Sequence, residues 1–166
     1  MAAVAPAMLF AGRTLFCPCG TIRLASGAAE TSEVSQQFTD WYTLSHVVHG
    51  LLLFGLCWWL LPHLALAWRM VGAMTLEAVW EVFENSNLVI RLFRAEAAEL
   101  GAVGDTVLNS EGDMLAMLAG FWLARWLPVW ASVALAVTLE LVAYWVIRDG
   151  LVLIVLRRVL AAGLPF

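Results

Sequence analysis

The chain contains no lysine: its nine basic residues are all arginine, placed singly or in pairs against 13 acidic residues, for a net charge of −4. With no basic stripe there is nothing to follow a phosphate backbone, which argues against a nucleic-acid partner. Cysteine is scarce too. Cys17 and Cys19 flank a single proline, and Cys57 lies inside a hydrophobic run. Such a set does not resemble a disulfide framework, and without a second matching pair it does not make a soft-metal site. Cys17 to Gly20 therefore reads as a turn, and the redox compartment stays open. The N-terminus lacks a basic segment and Arg13 interrupts its apolar stretch, so Met1 to Phe16 does not read as a signal peptide.

What is present is apolar surface. Hydrophobic residues make up 63% of the 166 positions and nine are tryptophan, with a mean hydropathy of +0.86. This is the composition of a small multi-pass membrane protein. The expected fold is all-α: one integral-membrane helical bundle over residues 1–166, with four full spans near 41–61, 64–83, 105–127 and 129–147. Pro62 and Pro128 close the first and third spans on one membrane face, here termed face A. Residues 13–40, 84–104 and the Arg148-Asp149-Gly150 corner fall on the other, face B. Ala2 to Gly12 would form a short N-terminal helix covering about half of a roughly 30 Å hydrocarbon core. Either the chain begins downstream of its natural start or this helix is only partly inserted. The apolar tail Leu151 to Phe166 carries Arg157-Arg158 and reads as an interfacial or re-entrant helix.

Ionisable residues recur at helical spacing within these spans. A charge at the bilayer centre costs on the order of 2.5–3.5 kcal/mol on insertion scales, so such residues should face the bundle interior and serve a function. His46 and His49 are i, i+3 neighbours; Glu77, Glu81 and Glu84 lie at i, i+4 and i+7; Asp105, Asn109 and Asp113 lie at i, i+4 and i+8. All fall toward face B. From the helical rise, His49, Glu77, Asp113 and Glu140 form a deep layer, with Tyr42, Ser45, Glu84, Asn85, Asp105, Asn109 and Arg148 above it. Gly112, beside the third stripe, is expected to let another helix approach closely.

The acids outnumber their counter-charges. Glu77, Glu81, Glu84, Asp105, Asp113, Glu140 and Asp149 face only Arg91, Arg94 and Arg148. A divalent transition metal such as zinc or manganese, held by His46, His49, Glu77, Glu81 and Asp113, accounts for the surplus with one assumption. Carboxyl groups that stay protonated account for it as well and favour proton-coupled transport. The polar residues also have a purely structural reading, as groups that bind membrane helices together.

The runs Asp40-Trp41-Tyr42-Thr43-x-Ser45-His46-x-x-His49-Gly50, Glu77-x-x-Trp80-Glu81-x-x-Glu84-Asn85-Ser86, Gly104-Asp105-x-Val107-x-Asn109-Ser110-x-x-Asp113, Leu127-Pro128-Val129-Trp130 and Ile147-Arg148-Asp149 cover nearly the whole chain. In these the chain resembles an uncharacterised family of bacterial multi-pass inner-membrane proteins, a domain of unknown function. The resemblance implies a multi-pass location in the bacterial inner membrane and no activity. Glu77 or Glu81, Arg94 and Asp105-x-x-x-Asn109-x-x-Gly112 are also similar to the Glu…Arg…Asp-x-x-x-Asn-x-x-Gly arrangement of VanZ-like membrane proteins.

Three functions are expected to compete. The first is a metal-dependent hydrolase or transferase acting on a membrane lipid or lipid-linked phosphate at face B. In it Glu84 or Asp105 is the general base, Asn109 belongs to the catalytic group, and Arg91, Arg94 and Arg148 hold the phosphate. The second is a proton- or cation-coupled transport or binding protein. The third is a structural subunit of an envelope complex. Face A shows only His63, Arg69 and Arg125, which argues against a simple channel. Face B carries Arg13, Arg23, Arg91, Arg94 and Arg148 against Arg69 and Arg125 on face A, which by the positive-inside rule favours a cytoplasmic face B. Several of those arginines have acids to pair with, and the short Arg-bearing turns on face A equally suit a cytoplasmic face A, so the orientation stays open.

Overall fold

The structure, a computed structural model, describes residues 4–27, 33–93, 104–153 and 156, with the backbone alone over 91–93. Among the described residues it is all-helical: α1 (Val4–Phe10), α2 (Thr43–Leu60), α3 (Leu66–Glu84), α4 (Asn87–Phe93), α5 (Val107–Trp126) and α6 (Val129–Ile147). Arg94, Arg157, Arg158 and most of the expected C-terminal helix lie outside the described residues, as does the side chain of Arg91. The short α4 falls in a stretch that had been expected only as polar connection.

Local chemistry sets the helix ends. The amides of Tyr42 and Thr43 donate to Asp40 Oδ1 at 2.8 and 3.2 Å, and the Asp40 amide donates to Thr43 Oγ1 at 3.0 Å, a reciprocal cap on α2. Thr106 caps α5 by accepting from the Asn109 amide at 3.2 Å. Pro128 ends α5 and opens α6, where its missing N–H costs nothing.

The central contact is α2 against α5. It depends on two glycines that face each other. A Cβ on Gly50 would strike the Met117 carbonyl, and one on Gly120 would strike the Val47 carbonyl, so any larger residue forces the backbones apart. Below this crossing, toward face A, Cys57, Ala73, Met117 and Phe121 form a buried apolar cluster, with Phe54 packed edge-on to Phe121 at 5.1 Å. A second cluster, Val4, Met8, Val107 and Met114, anchors α1 onto α3 and α5.

The helices are inverted relative to a water-soluble core. On α3 the carboxylates Glu77 and Glu81 are 2% and 0% exposed, whereas Leu76, Val79 and Phe83 are each about half exposed or more. Along α6 only Ala143 and Ile147 are buried, and Trp130, Val133, Val137, Leu141 and Trp145 all face outward. Among the described residues, α2 and α6 are long and apolar enough to cross a membrane, with mean hydropathies of 1.4 and 1.8.

Candidate functional site

At the face-B end of the bundle, α2, α3 and α5 direct two histidines and three carboxylates into one buried space. His46 Nδ1 is 2.6 Å from Glu77 Oε1 and 3.4 Å from Glu81 Oε1, while its Nε2 is 3.8 Å from Asp113 Oδ2. His49, one helical turn on, places Nδ1 3.0 and 3.1 Å from the two oxygens of Glu77. One carboxylate thus bridges both imidazoles. The rings meet edge-on at 5.0 Å, and Trp80 closes the far side of His49 at 5.6 Å. Thr43 donates to Asp113 Oδ1 at 2.7 Å and fixes that carboxylate from behind.

Glu81 differs from the other carboxylates here. Its side chain is fully buried, and neither oxygen has a hydrogen-bond partner among the described residues. Leaving such a group bare is costly, because an ionised carboxylate needs a compensating charge or donor. Two overlapping sets of ligand atoms each lie within 4.8 Å of one another: His46, His49 and Glu77, and His46, Glu81 and Glu84. Ligands bound tetrahedrally at about 2.0–2.1 Å stand roughly 3.3 Å apart, which the 3.4 Å between His46 and Glu81 matches, while the 2.6–3.1 Å separations from Glu77 to the two histidines are direct hydrogen bonds that an ion would replace.

A second polar layer seals the site from face B. Asn85 donates through Nδ2 to Asp105 Oδ2 and accepts from the Asp105 amide through Oδ1, both at 2.7 Å. Asn109 donates to the Gln37 carbonyl at 2.8 Å, and Gln36 donates to the Gly104 carbonyl at 2.7 Å. The first amides of α5 have no partner within the helix. They are taken up by the loop, Thr106 donating to the Ser35 carbonyl, Val107 to Thr14 and Leu108 to Leu15. The space left by Gly112 is filled by the Phe38 carbonyl, so a loop rather than another helix makes the close approach. Arg13, buried in the same layer, donates to Asn87 at 2.7 Å.

Within the loop Cys17 and Cys19 are joined by a disulfide, a pairing not expected from their spacing. Gln36, Gln37 and Arg13 were not singled out in the sequence, and no spacing marks them. Asp40 had a readable signal, an acid three residues before Thr43 at the start of an apolar run.

The remaining candidates are placed elsewhere. Glu140 Oε2 accepts from the Val152 amide at 3.0 Å and lies 3.0 Å from where a Cβ on Gly150 would stand, so this carboxylate holds the turn after α6. Tyr42 reaches Asp149 at 3.4 Å. Arg148 is exposed, ends α6 in a left-handed conformation and lies over the Tyr144 ring. Ser45 is buried, with its hydroxyl lacking a hydrogen-bond partner among the described residues. Glu84 is half-buried at the edge of the His46 and Glu81 group.

A family model described as "Protein of unknown function (DUF2585)" matches residues 8–162. The chain is 47% identical over 149 residues to a UPF0314 protein of Paracoccus denitrificans (strain Pd 1222), covering 90% of this chain and 77% of that one. It is 42% identical over 159 residues to a UPF0314 protein of Sphingopyxis alaskensis, covering 96% of this chain and 85% of the relative. A UPF0314 protein of Brucella anthropi is 44% identical over 146 residues, 88% of this chain and 74% of the relative. No solved structure matches.

Proposed function

This chain belongs to the family of proteins of unknown function DUF2585, and from its geometry we propose a multi-pass protein of the bacterial inner membrane with a metal-dependent hydrolase or transferase centre. Four spans, α2, α3, α5 and α6, are the reading that best accounts for carboxylates turned inward and leucine, valine and tryptophan turned outward on the same helices.

The observation that carries the metal reading is Glu81, buried without a hydrogen bond, 3.4 Å from His46 and grouped with His46 and Glu84. His46, His49, Glu77 and Glu81 would hold a zinc or manganese ion; Asp113, expected as a ligand, lies 3.8 Å from the opposite ring nitrogen of His46 and would orient that imidazole instead. Bound there, the metal would supply Lewis acidity and a water acidic enough to act as a nucleophile near neutral pH. Glu84, half-buried at the edge of the ligand set, would serve as the general base. Asp105 is engaged by Asn85 and Asn109 by Gln37, which suits positioning roles. The substrate class is a lipid or lipid-linked phosphate that would enter from the membrane past the half-buried His49 and Glu84, since the polar layer closes the site toward face B.

The test is turnover of lipid-linked phosphates and phosphate esters by protein reconstituted with zinc or manganese, beside Glu84→Gln. Phosphate release that requires the metal and falls at least about a hundredfold in the variant supports the reading. Release unaffected by chelator, or none from any phosphate substrate by metal-loaded protein, contradicts it.

A second reading, a proton- or cation-coupled carrier, draws on the row Thr43, Asp113, His46, Glu77, His49, hydrogen-bonded throughout except for the 3.8 Å step between Asp113 and His46. It predicts flux in proteoliposomes that Asp113→Asn reduces. Flux equal to that of empty vesicles removes it. The third reading, an envelope-complex subunit, predicts a partner that co-purifies and is lost when the outward face of α6 is made polar.

A further inference from the structure

The opposite end of the bundle has its own chemistry. Between Leu51 and Leu76, and again between Met114 and Leu139, there is no Asp or Glu; the ionisable residues are His63, Arg69, Arg125 and Cys57. Arg69 is fixed at the α2–α3 turn, with Nε donating to the Leu64 carbonyl at 2.9 Å and Nη2 to the Pro62 carbonyl at 2.6 Å. Arg125 is exposed in the last turn of α5. Both line a largely apolar groove of about 1120 Å³ between α2, the start of α3, α5 and α6. That exceeds the roughly 300–1,000 Å³ usual for a compact small-molecule pocket and suits a long, chain-bearing amphiphile. Trp58, Trp59, Trp68, Trp126 and Trp130 are all well exposed at this same end, where indoles mark the headgroup level of a bilayer.

We propose that this groove binds one anionic phospholipid, its acyl chains lying along Leu52, Leu56 and Val133 and its phosphate held between Arg69 and Arg125. Charge complementarity selects the occupant. Two arginines with no acid on the same half of the bundle cannot be neutralised within this part of the chain; Arg125 can offer paired N–H donors to phosphate oxygens, and Arg69, whose Nε and Nη2 donate to backbone carbonyls, adds its charge. Ser132, from α6, adds a hydroxyl to the lining. The site rests on the membrane-spanning part of the reading above and is independent of its metal chemistry.

Native mass spectrometry of the detergent-purified full chain with equal amounts of dioleoylphosphatidylglycerol and dioleoylphosphatidylcholine tests the site. Wild type should retain one phosphatidylglycerol in clear preference to phosphatidylcholine. Arg125→Gln should weaken that retention about fivefold and Arg69→Gln/Arg125→Gln further, with Arg23→Gln at face B as the unchanged control. Because Arg69 also braces a turn, the single Arg125 variant decides the matter if the double variant fails to fold. Equal retention of the two lipids, or undiminished preference in Arg125→Gln, overturns the proposal. Displacement of the lipid by excess inorganic phosphate overturns it too, assigning a free-phosphate site. Carbonate extraction of membranes reports separately on the spanning reading: protein retained in the membrane without lipid preference fails only the lipid site, and protein released fails both.

Discussion

The two halves of this bundle use the same helices for opposite purposes. Toward face B, α2, α3 and α5 bury His46, Glu77, Glu81, Asn109 and Asp113 under a loop that hydrogen-bonds to their ends. Toward face A, the same three helices bury Cys57, Ala73, Met117 and Phe121 and expose tryptophan and arginine. The glycine pair Gly50 and Gly120 lies between the two regimes. One half is held by directional bonds that specify positions and the other by packing that tolerates exchange, so chemistry is expected in the first and adaptable apolar contact in the second.

The sharpest way to break this contrast is Glu77→Ala. It removes the carboxylate shared by both histidines and leaves buried polar groups without their partner, so a loss of about 3–5 kcal/mol is expected, read as a large fall in thermal midpoint in detergent. The face-A counterpart, Met117→Leu, should cost under about 1.5 kcal/mol, because volume is conserved in an apolar cluster. At the boundary, Gly120→Val drives a side chain into the Val47 carbonyl and should cost about 3 kcal/mol, seen as aggregated rather than monodisperse protein on size exclusion. Asn85→Ala removes a double tie to Asp105 and should cost about 1–3 kcal/mol while metal content, measured in the same sample, stays at the wild-type level. Smallest of all is Glu140→Gln. The amide can still accept from Val152, so stability should change by less than about 1 kcal/mol and metal content not at all; loss of metal would place Glu140 in the centre.

Much of this was legible in the residues. Four long helices coincide within two residues with the four apolar segments, because prolines and short polar turns bound each of them. The i, i+3 and i, i+4 spacings placed His46 with His49 and Glu77 with Glu81, and these do converge. Depth along each helix followed from the fixed rise, but azimuth did not. Glu140 therefore shared a predicted depth with His49, Glu77 and Asp113, yet it turns to the chain after α6, since rotation about a helix axis is set by packing that an almost uniformly apolar sequence does not encode. The loop over residues 13–40 was the least readable part. Its order comes from single hydrogen bonds such as Gln36 Nε2 to the Gly104 carbonyl and Asn109 Nδ2 to the Gln37 carbonyl, each joining residues about 70 positions apart, and such bonds leave no periodic trace.

The central claim is that the buried histidines and carboxylates hold a metal, and elemental analysis of the purified, zinc- or manganese-loaded protein tests it most directly, beside folded His46→Ala/His49→Ala. The account predicts about one transition-metal ion per chain in wild type and close to none in the variant. Metal retained equally by the variant, or absent from folded, loaded wild type, would contradict it.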